Sequence, residues 1–205
     1  VQLSAVLTRR SGPEHPLQRV HVKIISSDDG ATTFDQLHDR LLQGGADYLK
    51  GYDAAVFFYP RGIGPRSWET DSPHIERRFA LIGQTIAGMR VWDILRLLET
   101  LRSIPAFSNA TFSLSAGGRM GGVAAFAALM SERPLSHMIL REPPSSLDRS
   151  GPFLIEASRI LDLPQVVAAL LPETEVELIT DEPAAWEWTV RTARALGLES
   201  KLKME

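Results

Sequence analysis

The sequence predicts an α/β protein: a doubly wound, mostly parallel sheet with helices on both faces. Three observations carry that prediction. Short β-branched or apolar runs alternate with amphipathic helical stretches along most of the 205 residues. "AAVFFYP", 54–60, is apolar throughout, as a strand buried on both faces of a parallel sheet must be. "SLSAGGRMGGVAAFAAL", 113–129, reads as a strand that turns sharply on glycines into a small-residue helix.

Taken in order, 2–10 and 19–25 are strand-like and are separated by the turn signal "SGPEHP". "TFDQLHDRLL" places Phe34, Leu37, Leu41 and Leu42 on one helical face, and Gly44-Gly45 ends it. After the strand at 54–60 comes a Gly- and Pro-rich loop, "RGIGPRSWETDSPH". Val91, Ile94, Leu95, Leu98 and Leu101 then mark a helix over 86–102. A strand at 110–116 precedes the glycine turn, with a helix from about 121 to 132 after it and "LSHMIL", 135–140, as another buried strand. "REPPSSLDRSGPF" is an excursion, and "LPQVVAALL" a short helix with Pro in its first turn. "VELIT", 176–180, is a strand, and "DEPAAWEWTVRTARALG" a helix that starts acidic and ends on Gly. One domain over residues 1–205 is expected. A chain that begins at Val1 without Met is read as a processed chain or the C-terminal part of a longer one.

Composition narrows the chemistry. With no cysteine, a thiol nucleophile, a thiolate metal site and disulfides are excluded, while the redox compartment stays open. A net charge of −3 without a dense basic cluster gives no reason to expect nucleic acid. No apolar run approaches the ~20 residues of a membrane span. No His/Asp/Glu cluster has a metal spacing, so neither metal nor cofactor is expected.

The glycine turn admits two functional readings. A nucleophile elbow, G-x-S-x-G on a strained strand-to-helix turn, fits in two registers. "SLSAG" would make Ser115 the nucleophile, and "AGGRM" puts Gly118 in that position with the Arg119 N–H as the neighbouring oxyanion donor. Alternation of Phe112, Leu114 and Ala116 favours Gly118, because the Ser115 register leaves five residues before Gly121. A glycine keeps the tight backbone and has no nucleophilic atom. The rival is a dinucleotide cradle: "AGGRMG" is a near miss to G-x-G-x-x-G, with Gly118, Gly121 and Glu142 as binding residues. The plain alternative to both is that the glycines only let helix and strand pack closely.

Several stretches together carry a resemblance. "FFYPRGIGPRSW", "RRFALIGQTIAGMRVWDILRLLETLRS", the glycine turn with "AAFAALMSERPLSHMIL", "PPSSLDRSGPF" and "LDLPQVVAALL" resemble α/β-hydrolase domains. The nearest group is that of acetyl xylan esterases and prolyl-oligopeptidase-like proteins, particularly large bacterial proteins in which this domain closes the chain. The resemblance runs from about residue 50 to 196 and implies a Ser-acid-His triad with a degenerate outcome here. It puts the nucleophile position on Gly118 and the acid on Asp181, next to Glu182. The histidine would follow a last strand of which "KLKME" looks like only the beginning. The oxyanion sequence His-Gly is replaced by "SSDDG".

His15, His21, His38 and His137 do not fit the base, and His74 is the one candidate that could reach the site. The function implied is a catalytically degenerate domain, a structural or binding module for the rest of its own longer chain or for a protein or carbohydrate partner. An active serine carboxylesterase or acyl-peptide hydrolase would need Ser115, Asp181 and His74, and a dinucleotide-binding module is the third possibility. The secreted esterase relatives of this group point to an extracytoplasmic setting. Of the remaining candidates, Arg61 could hold a carboxylate or phosphate through its planar fork, and the favoured reading has it tie the "RGIGP" loop to backbone carbonyls. Arg77, Arg78 and Arg90 could line an anionic cleft but are read first as solvated or ion-paired, and Trp92, Trp186 and Trp188 as core in preference to a sugar-stacking platform.

Overall fold

A computed structural model describes residues 3–9, 17–27, 36, 39, 49–64, 67–68 and 72–205. Seven strands form one sheet in the order β1-β3-β2-β4-β5-β6-β7. They are β1 Ser4–Arg9, β2 Arg19–Ile24, β3 Ala54–Tyr59, β4 Thr111–Gly117, β5 His137–Arg141, β6 Glu175–Ile179 and β7 Leu202–Met204. Among the described residues only β1 runs antiparallel to its neighbour. The doubly wound, mostly parallel sheet is thus as the sequence predicts. "KLKME", read as the beginning of a last strand, supplies a three-residue strand beside β6.

Among the described residues the α-helices with defined ends are α1 Ser72–Leu81, α2 Ile86–Ser103, α3 Gly118–Met130, α4 Leu163–Leu170 and α5 Glu187–Ala195. Val91, Ile94, Leu98 and Leu101 of α2 lie in one apolar cluster with Met120 and Val123 of α3, Val166, Val167 and Leu170 of α4, and Ala193 of α5. Alternate residues of the central strands meet them: Val20, Val22 and Ile24, Val56 and Phe58, Phe112, Leu114 and Ala116, Met138 and Leu140, Val176 and Leu178. Burying each such side chain contributes roughly 1.5–3 kcal/mol, which makes this layer the main source of stability. The opposite face holds a smaller cluster of Ile25, Leu49, Ala55, Phe57 and Tyr59. The predicted helix over "TFDQLHDRLL" falls outside the described residues except for Gln36 and Asp39.

Three expectations shift. Helix α1, inside what reads as loop and helix lead-in, has a mostly exposed surface, so no apolar stripe announces it. Helix α3 starts at Gly118 rather than near 121, because the chain turns within one residue. The helix expected from Asp181 opens as a 3-10 turn, Pro183–Trp186, before α5. The tryptophan expectation also needs correction. Trp186 is 1% exposed, whereas Trp92 and Trp188 are 52% and 41% exposed. Trp92 carries the Arg96 guanidinium 4.0 Å from its ring centroid.

Two packing features position the carboxyl edge. Helix α3 begins so close to the 143–152 excursion that a Cβ on Gly121 would lie 3.1 Å from Pro143 Cβ, and one on Gly122 2.8 Å from Pro152 Cδ. Asp162 fixes the far end of the excursion: it caps α4 in a capping box with Gln165 and accepts the Leu147 N–H at 2.6 Å.

On the face away from the helix layer, the middle of the sheet is polar. His21 of β2 stands opposite Ser113 of β4, with Nδ1 2.8 Å from Ser113 Oγ and Nε2 2.8 Å from Ser115 Oγ. One ring nitrogen of the neutral imidazole donates and the other accepts a hydroxyl proton. The Tyr52 ring packs 4.8 Å from it. Burial first, then electrostatic repulsion from His137 and Lys23, push the His21 pKa down to about 4. His137 in turn lies 3.8 Å from Glu177, which Lys203 approaches to 3.9 Å.

Two predictions follow from this packing. Gly122→Ala forces its new methyl against Pro152 and lowers unfolding free energy in urea by about 1–3 kcal/mol; an unchanged midpoint would refute the close contact. The His21 pKa is depressed relative to 6.5 in the unfolded chain, so its stabilising neutral form is fully present above 6.5 and is lost as pH falls through about 4. The stability difference between wild type and the non-titrating His21→Gln should shrink over that window in thermal melts, and parallel pH curves would contradict it.

Candidate functional site

The carboxyl ends of the parallel strands collect Gly118, Arg119, Gly121, Glu142 and Asp181. β4 runs extended to Gly117, which caps α3 with φ −121° and ψ 162° and no side-chain cap, and Gly118 turns the chain with φ +51°. That conformation suits glycine and strains other residues, which explains why the strand can pass into a helix without a connecting loop. Arg119 lies in the first turn of α3, exposed, with Nη2 donating to the Gly151 carbonyl at 3.1 Å.

Ser115 stands elsewhere. It lies within the strand rather than at the turn, 7% exposed, on the sheet face that carries His21. A serine and a histidine therefore do meet, but about 10 Å back from the turn, three residues at the rise of a strand from Ser115 to Gly118. The His21 Nδ1 that would need an orienting carboxylate faces Ser113 instead. Sequence reading missed this pair because its members are 92 and 94 residues apart. Period-two placement on neighbouring strands was the only available signal.

The other predicted residues divide. His74 is exposed on α1, and His137 sits at the start of β5 opposite Ser113, away from the carboxyl edge. His15 and His38 fall outside the described residues, as does all of "SSDDG" beyond Ser27. Asp181 and Glu142 are brought together just past β6 and β5. The Asp181 N–H points at the Glu142 carboxylate, 3.1 Å from Oε1, and Glu142 has φ +44° and donates its own N–H to the Ile179 carbonyl at 2.8 Å. Glu142 thus braces the Asp181 backbone. Gly121 is covered by Pro143, so of the residues proposed for a dinucleotide cradle one is packed over and one is already engaged.

Arg61, at the end of β3, is not tied to backbone carbonyls as expected. Its guanidinium pairs with Asp93 of α2, Nε to Oδ2 at 2.8 Å and Nη2 to Oδ1, while its backbone N–H also donates to Oδ2 at 3.2 Å. Asp93 is 1% exposed, and a carboxylate so buried depends on that fork. The tie to a carbonyl is made by Arg90, whose Nε donates to the Arg61 carbonyl at 3.0 Å. Beside Arg61 opens a cavity of about 620 Å³ lined by Gln84, Thr85, Met89, Trp92, Leu154 and Ile155. Thr85 caps α2 there by accepting the Gly88 N–H at 2.9 Å.

Among the described residues no group of His, Asp and Glu side chains could hold a metal ion, and no helix is long and apolar enough to cross a membrane.

No protein-family profile matches this sequence, and neither does any curated protein. Solved structures do match in fold. A protein assigned as an acetyl xylan esterase from Bacteroides fragilis superposes with a TM-score of 0.73 at 13% identity, over 98% of this chain and 61% of that one. An acetyl xylan esterase from Paenibacillus sp. R4 gives 0.56 at 14% identity, over 99% and 72%. The acylaminoacyl peptidase of Pyrococcus horikoshii gives 0.59 at 15%, over 100% of this chain and 34% of that one. This chain therefore spans about a third to three quarters of the length of these structures. The mostly parallel seven-stranded sheet with its helices matches the α/β-hydrolase fold of these structures.

Proposed function

We propose that this chain is a hydrolase-fold domain without hydrolytic chemistry, serving as a structural or binding module for the rest of a longer chain or for a protein or carbohydrate partner. One observation carries the reading: the turn after β4 has Gly118 where an elbow presents its nucleophile, so no side-chain oxygen stands there. The arrangement of the histidines supports it. His21 is clasped by two serines on the sheet face, His137 faces Glu177, and His74 is exposed on α1. Asp181 stands at the end of β6, where an acid has a role only if a base is held against it. The cavity beside Arg61, with its mixed polar and apolar lining, offers a binding volume that needs no triad.

One observation favours a second reading. Ser115 Oγ and His21 Nε2 lie 2.8 Å apart, the separation of a working nucleophile and base. Against it, Ser115 is 7% exposed, and a pKa of about 4 makes His21 a weak base at neutral pH.

Hydrolysis of p-nitrophenyl acetate by wild type, Ser115→Ala and Gly118→Ser separates the readings. The silent-domain reading predicts background rates for all three, because a serine restored at the turn still has no base. Turnover by wild type that Ser115→Ala abolishes would establish the second reading. Turnover gained by Gly118→Ser would place a base at the turn and overturn the first.

A further inference from the structure

Trp92 is half-exposed, and its side chain lines the cavity of about 620 Å³ beside Arg61. Small-ligand sites have volumes of roughly 300–1,000 Å³. The cavity lies at the end of β3, two strands from the Gly118 turn, because β2 stands between β3 and β4. Arg96, four residues after Trp92 on α2, covers one side of the indole at 4.0 Å from the ring centroid. Four residues before Trp92, where a side chain would stack from the other side, stands Gly88, which also lines the cavity. The helix thus holds an indole with a place left open beside it.

Among the described residues the lining carries no unpaired charge. Arg61 is its one ionised side chain, and Asp93 takes that guanidinium through Nε and Nη2. The third nitrogen, Nη1, donates to the Met89 thioether at 3.0 Å, a weak acceptor that a better one can replace. Gln84 is exposed on the lining, and among the described residues its side-chain amide makes no hydrogen bond. These features select the ligand. An ion would find no free counter-charge. A plain hydrocarbon would cover the Nη1 and Gln84 N–H groups without accepting from them. A sugar ring meets both demands: its C–H face lies on the electron-rich indole, and the hydroxyls on its rim accept from Nη1 and exchange hydrogen bonds with Gln84.

We propose that this cavity binds an uncharged sugar, stacked on Trp92 and hydrogen-bonded to Gln84 and Arg61. The inference rests on the binding-module half of the reading above and selects carbohydrate as the partner. It involves no hydrolytic step.

Titration calorimetry of the 205-residue chain with cellotriose, with maltotriose and with N-acetyl-phenylalaninamide tests it. Both sugars are uncharged and differ in the shape of the glycosidic bond, while the third probe is uncharged and aromatic. Saturable binding of at least one sugar is expected, weakened about tenfold or more by Trp92→Ala and about threefold or more by Gln84→Ala. Trp92→Phe keeps a ring and should recover part of the loss. Both side chains are exposed, so these variants should stay folded by circular dichroism. Trp188→Ala removes another exposed tryptophan, on α5 and outside the cavity, and should leave binding unchanged. No saturable binding of either sugar up to about 20 mM overturns the proposal, as does binding that Trp92→Ala leaves unchanged. Saturation by the aromatic amide and by neither sugar overturns it too, and assigns the cavity to an apolar side chain of a protein. Sugar binding by a chain that also hydrolyses p-nitrophenyl acetate upholds this inference and removes only the silent-domain reading.

Discussion

Helix α3 starts within one residue of strand β4, and that closeness governs the whole carboxyl edge. Gly118 takes a left-handed conformation, and Gly121 and Gly122 leave no room between the helix and Pro143 and Pro152. The excursion after β5 can then lie flat against the helix start, held by Asp162 at one end and by Arg119 on Gly151. Such a turn needs a left-handed residue at its apex, which an ordinary βα connection does not. Its presence without a side-chain nucleophile is the physical basis for reading the site as silent.

The second organising feature is the division of the sheet. One face is continuous hydrocarbon under four helices; the other carries His21 clasped by Ser113 and Ser115, then His137, Glu177 and Lys203 in succession. Neutral His21 satisfies both hydroxyls at once, so the cluster is a hydrogen-bonded network rather than an ionic one. It resembles a catalytic pair in distance alone. The low basicity of the ring and the serine at its Nδ1 argue for structure.

Much of this fold was legible in the sequence. "AAVFFYP" announced a fully buried strand, and the alternation of Phe112, Leu114 and Ala116 fixed the strand direction into the glycine turn, which ends at Gly117 as alternation required. What stayed hidden involves pairs distant in sequence. Arg61 and Asp93 are 32 residues apart, and Ser115 and His21 are 94 apart, so only the assembled sheet brings them together. Local patterns also misjudge faces: Trp92 sits on a helix whose neighbours Val91 and Ile94 are buried, yet it points outward beside the cavity. Glu142 looked like a ribose-binding acid from spacing alone, while its carboxylate in fact receives the Asp181 N–H.

The central claim is that the turn keeps the backbone of an elbow and none of its reactivity. Intact-mass spectrometry after prolonged incubation with a fluorophosphonate tests it most directly, because the probe reports an activated serine without any assumption about substrate. The account predicts an unmodified chain. A stoichiometric adduct, mapped to Ser115 or to any other serine, would contradict it and return the molecule to the working hydrolases.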